Sequence, residues 1–207
     1  IDTTNNGASG SEAGAGITLG GAIDGAADNT QSLTLNAGTG GAIDVQSTIG
    51  AGTNTQLATL TVTQSNGATF TGAVTADTSV VLTDTTDAAN ITFTGALTTP
   101  TLTTAAQGYN LKLHGNGTTI TNLFTATNTG TLELGNDVND VLTFNGGLTA
   151  TAPSGITLNG TVRTSGDTVS LGDTGASATA ITLAGTTSVI DTTNNGASGS
   201  EAGAGIT

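Results

Sequence analysis

The chain closes on the same words with which it opens, and that constrains its fold more than any other feature. Residues 190–207 read IDTTNNGASGSEAGAGIT, and residues 1–18 read the same eighteen letters. Identity over such a length, without one substitution, marks residues 1–189 as one tandem repeat unit and residues 190–207 as the start of the next identical unit. Units of this kind must each accept a successor. That favours a quasi-one-dimensional architecture in which neighbouring repeats complete each other's core.

Composition decides which architecture. Gly occupies 32 positions, aromatic residues are only 2%, and charged residues 8%. Residues that propagate helices well (Glu, Lys, Arg, Met) are scarce, whereas Thr and Val favour a pleated, half-buried surface. The segments SLTLN, ATLTV, SVVLT, NLKLH, TLELG and TVSLG alternate apolar with polar residues, the period of a strand with one buried face. A disordered Gly/Thr-rich chain has no need of that alternation. The fold class is therefore all-β.

Shorter echoes divide the unit into coils. Ile156-Thr157-Leu158, Ile181-Thr182-Leu183 and Ile206-Thr207 recur 25 residues apart, and Ile17 is the image of Ile206. TFTGAVT at 69–75, TFTGALT at 92–98 and TFNGGLT at 143–149 form a second family. Coil starts are expected near Ile17, Ala42, Ala68, Ile91, Thr118, Val141, Ile156 and Ile181, which leaves a short stretch of 15 residues from Val141 to Gly155. A coil of this size cannot close a core alone, but stacking continues both the hydrogen bonds and the apolar interior. The expectation is a parallel β-solenoid of about 8–9 coils per 189-residue repeat, rising roughly 38–43 Å at about 4.8 Å per coil.

Inside it, Ile17/Leu19, Leu33/Leu35, Leu60/Val62, Leu111/Leu113, Leu132/Leu134, Ile156/Leu158, Val169/Leu171 and Ile181/Leu183 should stack as aliphatic ladders, with Thr between them pointing out. Pro100 and Pro153 should fall at corners, since Pro cannot donate to a sheet ladder. The seam between units should fall inside a coil, its small and polar residues forming a long outer loop. A string of immunoglobulin-like sandwiches is the rival. It fits less well, because there is no Trp, a single Tyr and no evident linker.

The runs VLTFNGGLTATAPSGITLNGTV, ITFTGALTTPTLTTAAQGYNLKL and IDTTNNGASGSEAGAGITLGGAI resemble the giant repetitive surface proteins of bacteria, of the filamentous-haemagglutinin and autotransporter-passenger type. The resemblance is one of texture over most of the unit. It implies a right-handed parallel β-helix, export to the cell surface, and work in adhesion, biofilm matrix or cell-to-cell contact.

Chemistry is sparse. Fifteen acidic residues stand against Lys112 and Arg163, a net charge of −13, which disfavours nucleic acid and anionic membranes as partners. There is no Cys, hence neither a disulfide framework nor a thiolate metal site. The single His114 reads as a turn or solvent-facing residue, and no catalytic or cofactor-binding constellation emerges. Calcium is the one metal worth weighing. Asn136, Asp137, Asn139 and Asp140 share a Gly-led turn before an alternating strand, although the same residues make an ordinary Asx-rich corner. Asp24 and Asp44, each in an AID triplet, could stack. Threonine pairs (Thr59 and Thr61, Thr101 and Thr103) suggest an outward face able to order water, but at irregular spacing.

The function expected is that of a structural segment of an extracellular fibre or adhesin stalk whose partner is itself, end to end, with surface glycans or other cells beyond. The alternative is a binding module using an outward Thr/Asx face for glycan, calcium or ice.

Overall fold

A computed structural model describes residues 1–4, 13–173, 178–193 and 202–207. The expected outer loop of the repeated segment lies mostly outside these. The strands run β1 Ile17–Leu19, β2 Ser32–Asn36, β3 Ile43–Val45, β4 Leu57–Gln64, β5 Ala68–Phe70, β6 Val74–Leu82, β7 Asn90–Phe93, β8 Leu97–Thr99 and β9 Thr101–Thr104. They continue β10 Asn110–Leu113, β11 Thr119–Ile120, β12 Phe124–Thr125, β13 Thr131–Leu134, β14 Val141–Phe144, β15 Leu148–Ala150, β16 Gly155–Arg163, β17 Val169–Leu171 and β18 Ala180–Asp191.

Every one of these pairings is parallel, which excludes the sandwich and makes the chain a three-sided β-solenoid. The first side carries β1, β3, β5, β7, β10, β13 and the opening halves of β16 and β18. The second side carries Ile23, Ile49, the start of β6, β8, β11, β14 and the closing halves of β16 and β18. The third side carries Asp2, β2, β4, the end of β6, β9, β12, β15, β17 and Ile206. Strands β6 and β16 turn a corner without breaking. That is why fifteen strands count as one sheet, climbing the first side and descending the other two.

The register makes the core. Ile17, Ile43, Ala68, Ile91, Leu111, Leu132, Ile156 and Ile181 lie one above another in a single ladder, and Leu19, Val45, Phe70, Phe93, Leu113, Leu134, Leu158 and Leu183 form the one beside it. Strand alternation points both ladders inward, and each fully buried Leu, Ile or Phe contributes about 1.5–3 kcal/mol. Phe70 and Phe93 stack with ring centroids 4.7 Å apart, as do Phe124 and Phe144 at 5.9 Å. Tyr109 is fully buried, a role its sequence context did not announce. Its hydroxyl donates to Leu82 O and accepts from Ala105 N, and burial pushes it up to about 12. Pro100 and Pro153 sit between strands, as expected.

The first-side ladder has eight rungs joined by seven steps of 20–26 residues, at the lower end of the expected eight or nine coils, but two expected coil starts need correcting. Thr118 and Val141 do not open coils. Thr118 precedes β11 and Val141 opens β14, both second-side strands, and the missed first-side rungs are β10 and β13. The short coil therefore disappears.

The cause is instructive. In TFTGAVT and TFTGALT the Phe is on the first side and the Val or Leu on the second, but in TFNGGLT Phe144 is on the second side and Leu148 on the third. The motif specifies how a corner turns and is silent on which corner. Its glycine is required by close approach. A Cβ on Gly95 would lie 2.4 Å from the Gly72 backbone, and one on Gly146 2.5 Å from the Leu123 backbone nitrogen.

Candidate functional site

The corner from Gly135 to Asp140 is satisfied by its own backbone. Asp140 Oδ2 accepts from Asn136 N and Asp137 N, both at 2.8 Å, and Asp137 Oδ1 accepts from Asn139 N at 2.9 Å and Asn139 Nδ2 at 2.7 Å. Those bonds from Asn139 hold the Asp137 carboxyl below its ordinary range. This is the hydrogen-bonding pattern of an Asx corner. Asp24 and Asp44 do not stack. Asp24 accepts from Gly52 N and Thr55 Oγ1, while Asp44 accepts from Gln46 Nε2 and lies in register between Thr18 and Thr69. Among the described residues, no group of three or more His, Cys, Asp or Glu side chains converges to hold a metal ion.

His114 is not a solvent-facing turn residue. Its side chain is 14% exposed, with Nε2 3.2 Å from Glu133 Oε1 but off a hydrogen-bonding line. Lys112 Nζ pairs with Glu133 Oε2 at 3.1 Å across one coil step. Arg163 Nε likewise donates to Asp191 Oδ2 at 3.1 Å, one coil above it. Both basic side chains of the chain thus pair with acids in the next coil.

The Thr pairs are better ordered than their spacing suggests. On the third side Ser32/Thr34, Thr59/Thr61, Ser79/Val81 and Thr101/Thr103 stack in register as two outward rows, because the surplus residues are taken up at corners.

The described residues of the repeated segment form two matched sets of bonds. In the first copy Thr4 N and Oγ1 donate to Asp2 Oδ1 at 2.7 and 2.6 Å, and Thr3 Oγ1 donates to Ala15 O at 2.8 Å. In the second copy Thr193 N and Oγ1 donate to Asp191 Oδ1 at 2.9 and 2.7 Å, and Thr192 Oγ1 donates to Ala204 O at 3.0 Å. These three bonds recur at the same positions in both copies.

The surroundings differ. The first copy has a coil above it: Asp2 pairs with Asn36, whose Nδ2 donates to Asp2 Oδ1 at 3.3 Å, and Ile17 pairs with Ile43. The second copy has a coil beneath it: Ile190 pairs with Val162, Asp191 with Arg163, and Ile206 with Val169. Sequence reading found the duplication but missed Arg163, whose role is visible only once the coils are stacked.

Compared with protein-family models, with curated proteins and with solved structures, the chain matches none. No helix among the described residues is long and apolar enough to cross a membrane, an observation that does not bear on crossing by strands.

Proposed function

We propose that the chain is a structural segment of an extracellular surface fibre or adhesin stalk, built by stacking 189-residue solenoid units end to end. One observation carries this reading. The described residues of the two copies repeat the same Asp–Thr bonds while presenting opposite halves of a coil-to-coil contact. Among the described residues, five of the seven large hydrophobic side chains that are exposed, Ile1, Ile181, Leu183, Val189 and Ile206, lie at the two ends of the stack, where a further coil would cover them. The acidic surface keeps neighbouring fibres apart. Export and attachment follow the resemblance drawn from the sequence.

The test is a chain of several consecutive units examined by cryo-electron microscopy or fibre diffraction. A rod with an axial repeat of about 4.8 Å, lengthening by roughly 37 Å per added unit, is expected. Units arranged as separate beads would sink the proposal. Antibody labelling of intact and permeabilised cells of the source organism tests location, and labelling only after permeabilisation would remove the extracellular part.

The two outward rows of the third side, all hydroxyl residues except Val81, favour a second reading, in which that face binds ice or glycan. Thermal hysteresis and glycan-array binding, each compared with a Thr59→Val/Thr61→Val variant, would decide it. No signal in either assay would end it.

A further inference from the structure

The two copies of IDTTNNGASGSEAGAGIT do not occupy the same sides of the solenoid. In the first copy Asp2 is on the third side, under Asn36, and Ile17 is on the first, under Ile43. In the second copy Ile190 and Asp191 are on the second side, over Val162 and Arg163, and Ile206 is on the third, over Val169. At both ends of the segment the described residues have moved back by one side. One unit therefore spans twenty-three sides, one short of eight full turns.

We infer that successive 189-residue units continue one solenoid, with each unit turned back by one side relative to the last. A given residue then returns to the same side only in every third unit. This rests on the stacking proposed above and adds its rotational phase.

Three observations support the phase. First, the two half-contacts combine without conflict. At the seam Asp191 receives Arg163 from below through Oδ2, while its counterpart Asp2 receives Asn36 from above through Oδ1. A single aspartate can hold both neighbours.

Second, the top of the stack is shaped for the rotated successor. A cleft lined by Thr151, Ser170, Leu171, Gly172, Asp173 and Thr207 opens just past the last residue of the second copy. Ile206 lies over Val169, so the counterpart of Leu19, two residues further on, lands over Leu171. The counterpart of Leu35 likewise lands over Ile190, because Asn36 lies over Asp2.

Third, the corners are interchangeable. The TFTGAV and TFNGGL motifs turn different corners of this same unit through an equally close glycine contact, so a sequence moved to a neighbouring side meets a geometry it already adopts.

The experiment is helical reconstruction by cryo-electron microscopy of a chain of six consecutive units, paired with cysteine cross-linking in a two-unit chain. The expected reconstruction returns a given residue to the same side of the coil after three units, or twenty-three turns, about 110 Å along the axis. Ser170→Cys with Thr207→Cys should cross-link with a short bifunctional reagent, and Thr182→Cys with Thr207→Cys should not. A continuous rod in which every unit presents the same residue on the same side, with the cross-linking preference reversed, would overturn the rotation and leave the fibre standing. Separate beads would overturn the fibre and the rotation together.

Discussion

Ile17 and Ile206 are the same residue of the same eighteen-residue sequence, yet one is 4% exposed and the other 56%. At the other end of the segment the order reverses: Ile1 is 56% exposed and Ile190 packs partly buried against the core. Local conformation is not the main cause, because the Asp–Thr bonds and the Thr-to-Ala bond described in the first copy recur in the second. What differs is whether a coil lies above or below. In a solenoid, burial belongs to the stack, and a residue's energetic weight depends on its neighbours along the axis.

That comparison can be pressed at four places. The largest effect is expected where the stack is closed on both sides. Phe93→Ala removes a ring sandwiched in its ladder between Phe70 and Leu113, and should cost about 4 kcal/mol in denaturant unfolding. Next come the paired isoleucines. Ile17→Ala should cost about 3 kcal/mol and Ile206→Ala less than about 0.5 kcal/mol in the 207-residue chain. In a two-unit chain the second value should rise to match the first, and equal costs in the short chain would break the comparison.

Tyr109→Phe should cost about 1 kcal/mol through its lost bonds to Leu82 and Ala105. Because the folded value lies above the ordinary 10, the stability tied to this hydroxyl is complete below pH 10 and lost as pH rises toward about 12. The variant should flatten that alkaline limb in thermal melts.

The smallest effect belongs to Asp137→Asn. Asp137 has a lowered folded value, so its contribution is present above the ordinary carboxylate range and lost as pH falls through the lowered one. The variant should soften only the acid limb below about pH 4.

Much of the fold was legible in the residues, and what escaped did so for a definable reason. Alternation in NLKL, TLEL and GITL is local, so the inward ladders could be read directly; most of their residues are buried, while Leu19 and Leu33 are partly buried and Ile181 and Leu183, in the last coil, are exposed. Phase around the axis is not local. The TFNGGLT echo led to misplaced coil starts because a corner motif works equally well at two corners. Ion pairs were hidden for a related reason: Lys112 and Glu133 are 21 residues apart, and Arg163 and Asp191 are 28 apart, so only stacking makes them neighbours. The Asp-rich corner shows the opposite limit. Its residue types suited a calcium loop and an Asx turn alike, and the backbone bonds to Asp140 are those of the turn.

The parallel ladder has a mechanical consequence. Hydrogen bonds between coils run along the solenoid axis, so tension applied end to end loads them in an opening geometry, one coil at a time, and not in shear. Each coil that lets go gives up about 4.8 Å of folded height and frees some 20–26 residues, roughly 70–90 Å of extended chain. Under load such a solenoid behaves as a fuse with many elements. It yields in small steps, dissipates work at each one, and keeps the remaining coils folded.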